Sequence, residues 1–329
     1  MAVLRDSPIF ICGHPKSGTS LLRSILDSHP EIIVYPEETG FFRRYLPNAE
    51  GKSLEKKLEL ADRYLIHIFE WNQVHPPEHQ EGFPDRDYSN IPFEDVRKEL
   101  RNQITRQFTH DGDMLSAAMA AFGVVTGHLT DITKYWLEKT PYNERFARQI
   151  YHWWPEARCI HVVRDPRDNF VSYRRKHPDW TASFFAQNWE SSTRLGLRNE
   201  KEFGKERYLL ITYEEFVLKP EENLARLLSF LSISDHEALR QPTREGKEWK
   251  GNSMWSDQFN QISAAPVGRW KDTLTTPEVA SIQGIASYGM KSMGYNQAVV
   301  NWKNTDIITR IQTSVQVIIK NLKETIKWL

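Results

Sequence analysis

Residues 8–20 read Pro8-Ile9-Phe10-Ile11-Cys12-Gly13-His14-Pro15-Lys16-Ser17-Gly18-Thr19-Ser20, and this stretch decides how the rest of the chain is read. Ile9–Cys12 is a short apolar strand. Gly13 opens a tight turn through Lys16-Ser17-Gly18, and Leu21, Leu22, Ile25 and Leu26 mark one face of a helix beyond it. Strand, glycine turn and helix make a cradle for phosphate. The first N–H groups of a helix have no partner within it, and the helix dipole favours negative charge there. Lys16 adds a mobile cation. Gly13, Lys16, Ser17, Gly18, Thr19 and Ser20 are therefore the first candidate binding residues; the plainer reading is a glycine turn capped by Ser17.

The residue order departs from the nucleoside triphosphate loop. In G-x-x-x-x-G-K-[ST] the lysine follows the second glycine and the hydroxyl binds Mg²⁺. Here Lys16 precedes Gly18, and Thr19 occupies the usual lysine slot. The cation moves to the other side of the turn. That suits an oxygen bridging a phosphate and its leaving group better than a β/γ-phosphate with Mg²⁺. A second cluster follows the apolar strand Cys159–Val163: Arg164-Asp165-Pro166-Arg167-Asp168-Asn169-Phe170-Val171-Ser172. Arg164 at the strand end and Ser172 in the next helix can converge on one phosphate, because arginine is a forked, permanently charged donor. Pro166 suits the helix start. The competing reading is an Arg164–Asp168 ion pair with Ser172 exposed.

Strands and helices alternate through the middle of the chain. Tyr135–Glu138, Cys159–Val163 and Tyr208–Thr212 read as strands; Tyr142–Trp154, Thr181–Phe203, Glu222–Leu231 and a segment starting at Asn169 read as helices. Such alternation predicts a parallel sheet covered on both faces. Gly13, Lys139, Arg164 and Tyr213 each follow a strand, which puts them on the carboxyl rim where ligands of open α/β sheets bind. Ser53–Trp71 and Phe93–Thr109 have helical periodicity. The polar, turn-rich Gln73–Pro92 between them is expected to be a lid or binding loop. His67, His75 and His79 lack the spacing of a tight metal-ligand set and read as solvated side chains.

The chain has 329 residues, enough for one large α/β domain. Lys plus Arg and Asp plus Glu both number 43, giving zero net charge and no basic run. Non-specific nucleic-acid binding is thereby excluded, while a locally cationic cleft is not. Cys12 and Cys159 lie in apolar runs and are expected to be buried free thiols. No signal-like segment and no apolar stretch of ~20 residues is visible, so a cytoplasmic location is expected. In 305–329, Ile308, Val315, Leu322 and Leu329 recur every seventh position with Ile311 and Ile318 between them, and Lys320, Lys323 and Lys327 lie near the end. This is a basic amphipathic helix. Packing on its own domain, homo-oligomer formation and contact with an anionic membrane are its three readings.

Pro15-Lys16-Ser17-Gly18-Thr19-Ser20-Leu21, then Asp27-Ser28-His29-Pro30 and Glu37-Glu38-Thr39, resemble the 5′-phosphosulfate region of sulfotransferases that use 3′-phosphoadenosine-5′-phosphosulfate (PAPS). The chain is most similar to the protein-tyrosine sulfotransferases and their bacterial relatives, with one extra residue between His29 and Glu37. Arg164, Arg167 and Ser172 are similar to that family's 3′-phosphate motif. Tyr213-Glu214-Glu215-Phe216 with Pro220-Glu221, Ser256-Asp257-Gln258, and Val267-Gly268-Arg269-Trp270-Lys271 resemble its later segments. The resemblance covers roughly 8–296 and leaves the region around 73–130 unmatched. It implies a P-loop-like three-layer α/β/α fold with a central parallel sheet, a helical insertion and the amphipathic C-terminal helix. The domain is expected over 1–300, with 73–130 on the acceptor side and 301–329 separate. PAPS is the implied co-substrate, held by the loop residues, by Arg164 and Ser172, by Tyr213 near the adenine or 3′-phosphate, and by Ser256, Arg269, Trp270 and Lys271.

Sulfuryl transfer needs cations at the bridging and equatorial oxygens, a base for the acceptor proton, and exclusion of water, by analogy with phosphoryl transfer. Lys16 is assigned to the leaving phosphate and Lys139 of Leu137-Glu138-Lys139-Thr140-Pro141 to the sulfuryl oxygens; an ion pair of Lys139 with Glu138 or Glu144 is the alternative. The resemblance makes Glu38 the base, against a capping or salt-bridging role. His14 is the rival base. No metal is expected, because the departing group is a single phosphate flanked by protein cations. The acceptor stays open between a small molecule, a glycan and a peptide, through a hydroxyl or an amine. A P-loop kinase using ATP and Mg²⁺, and a sulfotransferase-like binding protein without turnover, are the competing functions.

Overall fold

The computed structural model describes residues 7–75, 86–249, 251, 262–300, 311, 312, 314, 315, 318 and 319. Five strands form the central sheet: β1 (Pro8–Cys12), β2 (Ile32–Val34), β3 (Tyr135–Lys139), β4 (Arg158–Val163) and β5 (Tyr208–Thr212). Their order is β2-β3-β1-β4-β5, and every neighbouring pair is parallel.

Side chains of a strand alternate between faces, and here the alternation feeds two cores. Phe10, Cys12, Ile33, Trp136, Cys159, Tyr208 and Leu210 enter one; Ile9, Ile11, Ile32, Val34, Leu137, Ile160, Val162, Leu209 and Ile211 enter the other. The helices Gly112–Thr126 and Ala182–Phe203 cover the first face, and Thr19–Leu26 and Pro220–Leu231 the second. This is the expected α/β/α sandwich. Both faces are buried, so the strands show no polar alternation. Phe10 anchors the first core with its ring 5.5 Å from both Trp136 and Trp154; burying each such side chain stabilises by about 1.5–3 kcal/mol.

The strand order also places the motifs. β3, β1, β4 and β5 are consecutive neighbours in the sheet. Lys139, Gly13, Arg164 and Tyr213 therefore leave one rim side by side, although more than 120 residues separate Gly13 from Lys139 in the chain.

Several elements differ from expectation. β2 has three residues, too few for a periodic signal. The helix Gly112–Thr126 is almost wholly buried, Ala117, Ala118, Ala120 and Ala121 included, so no polar face gives it a 3.6-residue pattern. Tyr142–Trp154 divides: Tyr142 has φ 70°, a 3₁₀ turn covers Asn143–Phe146, and the α-helix runs from Ala147 to Trp153. The helix expected from Asn169 begins at Pro166, with Asp165 as its cap. Both cysteines are free and buried, as expected.

Of the expected loop Gln73–Pro92, 76–85 lies outside the described residues, and so does His79. Most of 305–329 lies outside them too. The described positions there are helical, and Ile311 and Ile318 are 57% and 56% exposed. Among the described residues no helix is long and apolar enough to cross a membrane.

Candidate active site

The loop after β1 is shaped by what surrounds it. Gly13 has φ 126°, and a Cβ there would lie 2.3 Å from the Val162 carbonyl oxygen. Gly18 has φ 105°, and its Cβ would meet the Tyr213 ring at 2.6 Å. Both positions require glycine for conformation and for space. Lys16 itself sits at φ 66°, a region costly for residues with side chains. The turn is held from outside: Gly13 N–H donates to Glu144 Oε2 (3.1 Å), Asn169 Nδ2 donates to the Pro15 carbonyl (3.2 Å), and Arg164 Nη1 donates to the Lys16 carbonyl (3.3 Å). The helix starting at Thr19 has no side-chain cap. Ser17 thus does not cap it, and the buried Ser17 Oγ has no hydrogen-bond partner among the described residues.

Arg164 is 6% exposed. Its Nη1 also reaches Ser172 Oγ (3.3 Å), Nη2 donates to the Pro266 carbonyl (3.2 Å), and its guanidinium lies 4.5 Å from the Tyr213 ring centre. Its buried Nε has no partner among the described residues. Two buried donors left over, Ser17 Oγ at the loop and Arg164 Nε beside Ser172, fit a ligand with an anionic group at each end, since buried donors are normally satisfied. The alternative pairing with Asp168 does not form, because the Asp168 carboxylate accepts the N–H groups of Gly268 and Trp270.

Arg167, at the second basic position of the Arg164–Ser172 motif, is engaged within the protein. Its guanidinium makes a two-pronged ion pair with Asp165 (2.9 and 2.6 Å), donates to Gln283 Oε1 (2.9 Å) and stacks 4.1 Å from the Trp270 ring centre. Tyr213 is wedged between Gly18 and Arg164, and its hydroxyl donates to the Ser263 carbonyl (3.4 Å). It fills the space between the loop and Arg164. Arg269 Nε donates to the Ala265 carbonyl (3.2 Å), while Trp270 is half-buried and Lys271 exposed. Ser256 lies outside the described residues.

At the reacting end, Lys139 Nζ lies 2.5 Å from Glu38 Oε1; the lysine side chain is 6% exposed and the glutamate 48%. The alternative partners of Lys139 are engaged elsewhere. Glu144 accepts from Gly13 and Ser192. Glu138, fully buried, accepts from Thr39 Oγ1 (2.9 Å), Thr39 N–H (3.3 Å), Asn143 Nδ2 (2.8 Å) and Thr140 Oγ1. Glu138 thereby pins the residue next to Glu38, a positioning role the sequence reading missed. Partial burial pushes the Glu38 carboxyl up, but the Lys139 ammonium, with Lys176 and Arg43 farther off, brings it below the ordinary carboxylate range. Burial, with Lys176 and Lys139 as like charges, lowers Lys16 to about 8.

Lys176 was also missed. It lies four residues after Ser172, in the turn just past the helix end at Arg174, and its closeness in sequence to that motif was the available signal. His14 points the other way. It is 2% exposed, boxed by the rings of Tyr142, Tyr173 and Phe185 at 5.5, 5.3 and 4.8 Å, and burial lowers it to about 4. Among the described residues, one group of potential metal ligands comes together: Cys12, Glu144 and His161, all buried beneath the loop. Each is already bonded within the chain, His161 Nδ1 to Tyr208 OH at 2.9 Å and Cys12 Sγ to the same hydroxyl at 3.6 Å.

Comparison with known proteins agrees with this geometry. The profile described as "Sulfotransferase family" matches residues 8–237. "Protein-tyrosine sulfotransferase A" of Caenorhabditis elegans is 24% identical over 306 residues, covering 89% of this chain and 68% of the relative. "Protein-tyrosine sulfotransferase" of Drosophila melanogaster is 23% identical over 242 residues, covering 71% of this chain and 40% of the relative. The chain thus spans between two fifths and about two thirds of the length of these relatives. In overall structure the "Sulfotransferase Domain from the Synechococcus PCC 7002 Olefin Synthase" superposes with a TM-score of 0.58 at 21% identity, covering 89% of this chain and 96% of that one. The rim of anion-binding motifs, the fold and the matched profile lead to one assignment: this chain belongs to the sulfotransferase family.

Proposed function

We propose that this sulfotransferase takes its sulfuryl group from PAPS and passes it to a hydroxyl or amine of a small-molecule, glycan or peptide acceptor by in-line displacement. One observation carries the reading: Arg164 bonds both to Ser172 and to the Lys16 carbonyl, so the loop and the clamp are two ends of a single site. A nucleotide with separate 3′ and 5′ anions needs such a site, and ATP does not. PAPS supplies the activated sulfuryl group; the chain supplies the rest. The loop N–H groups, Ser17, Thr19 and Ser20 hold the 5′ end, and Lys16 stabilises charge on the departing phosphate oxygen. Arg164 and Ser172 hold the 3′-phosphate. Lys139 meets the sulfuryl oxygens, and Lys176 adds charge at the same place. These protein cations serve where a metal would serve in a kinase.

Glu38 is the base. Its half-exposed carboxylate is held ready by Lys139, whereas His14 is enclosed by three rings and faces away from solvent. The acceptor approaches from the Glu38 side, next to which Tyr88, in the described part of 73–130, donates to Glu37 Oε1 (2.8 Å). The relatives are named for protein tyrosine and for an olefin synthase, so family membership alone does not choose between a peptide and a metabolite.

The test is a thermal shift. Adenosine 3′,5′-bisphosphate without metal raises the melting temperature by several degrees at a hundred times its Kd, and ATP with Mg²⁺ does not. The reverse order would favour the kinase reading. Transfer of label from PAPS to a panel of tyrosine peptides, sugars and hydroxylated small molecules then identifies the acceptor.

A further inference from the structure

The segment 262–271 crosses the clamp as a strap without strand or helix until the short helix Trp270–Thr273 begins at its end. An irregular segment has backbone N–H groups that need partners from elsewhere. Asp168 provides two. Its Oδ2 accepts the Gly268 N–H at 2.6 Å and its Oδ1 the Trp270 N–H at 2.9 Å. The carboxylate is 2% exposed, and it lies on the same helix as Ser172, one turn before it. Two side chains from the same run reinforce the attachment: Arg164 Nη2 donates to the Pro266 carbonyl, and Arg167 stacks under Trp270. The strap carries Arg269 between the two amides that Asp168 grips and Lys271 directly beyond them.

We propose that Asp168 is a positioning residue whose carboxylate latches the 262–271 strap over the 3′-phosphate end of the nucleotide. The inference rests on the donor assignment made above. Its physical content is a sign. Asp168 is an anion beside Arg164, so as a charge alone it opposes a dianionic 3′-phosphate, and removing it would tighten binding. As a latch it supports binding, and removing it weakens the complex by freeing the strap. The two roles predict opposite changes.

Asp168→Asn is the informative variant because it keeps size and shape. Its amide accepts one strap N–H but turns a donor toward the other. Asp168→Ala removes both acceptors. Calorimetry with adenosine 3′,5′-bisphosphate is expected to give a Kd raised about tenfold for Asp168→Asn and more for Asp168→Ala. With adenosine 5′-phosphate the change stays within about threefold. In turnover, KM for PAPS rises while kcat changes little. Hydrogen exchange on the ligand-free protein reads the latch without any nucleotide: the amides of Gly268 and Trp270 exchange at least tenfold faster in both variants, while those of β1 and β4 do not change.

An unchanged or lower Kd in Asp168→Asn overturns the latch. So does unaltered exchange at Gly268 and Trp270, whatever the ligand results. Failure of the wild-type protein to bind the bisphosphate at all overturns the donor assignment instead, and with it the ligand named for the latch.

Discussion

Replacing Arg164 separates the two ends of the proposed ligand most sharply. In the folded chain the guanidinium is nearly buried, it touches Ser172, and its Nε is left without a partner among the described residues. A 3′-phosphate placed there accepts at least two charge-assisted hydrogen bonds, each contributing about 1.5–3 kcal/mol. Arg164→Ala should therefore cost the 3′-phosphate about 3–6 kcal/mol, or roughly two to four and a half powers of ten in Kd. The same arginine also donates to the Lys16 carbonyl. That neutral-acceptor bond supports the 5′ loop, and its loss costs about 1 kcal/mol, so adenosine 5′-phosphate weakens by about fivefold. Arg164→Lys keeps the charge and loses the fork, which places it between wild type and alanine. The assay is titration calorimetry of the three proteins with adenosine 3′,5′-bisphosphate and with adenosine 5′-phosphate. Equal losses for both ligands would refute the clamp. So would a lysine variant that binds the bisphosphate like wild type.

Further expectations concern other parts of the site. Glu38→Gln lowers kcat by at least about a hundredfold, the usual contribution of a positioned base, and leaves the Kd of the bisphosphate within about threefold; turnover within fivefold of wild type would remove Glu38 from that role. Because Lys16 loses its proton as pH rises through about 8, kcat/KM for PAPS falls on the alkaline side with that midpoint, and Lys16→Arg abolishes the fall; a limb unchanged by the arginine belongs to another group. Gly18→Ala drives a methyl into the Tyr213 ring at a positive φ and costs about 2–4 kcal/mol, read as a drop in melting temperature; a drop below 2 °C would mean that Tyr213 moves freely. Truncation after Asn301 leaves the melting temperature within about 2 °C, since the described apolar side chains of the last stretch, Ile311, Val315, Ile318 and Ile319, are 45–57% exposed; a larger drop would show that this stretch packs on the domain.

The strands and the two anion motifs were legible because each signal is local. A strand covered on both faces needs continuous apolar residues, and Cys159–Val163 and Tyr208–Thr212 have them. A phosphate cradle needs glycine where the backbone turns left-handed, as Gly13 and Gly18 do. The misses share a physical cause. β2 is too short to have a period, and the helix Gly112–Thr126 is buried all round. Arg167 fills a basic position of the 3′-phosphate motif, but a charge pattern does not record that it pairs with Asp165 and Gln283 and stacks on Trp270.

Sequence alone was enough to say that this chain builds a parallel sheet with a glycine turn after its first strand and an arginine–serine pair after a later one. Backbone conformation and hydrophobic periodicity act over a few residues, and those distances are readable. Only the tertiary structure decided which partners meet: Lys139 with Glu38, Glu138 with Thr39, Tyr213 between Gly18 and Arg164, Asp168 with the strap. Those pairings depend on strand order, which brings β3, β1, β4 and β5 together on one rim. Strand order comes from packing two cores at once, a property of the whole chain that no single segment contains.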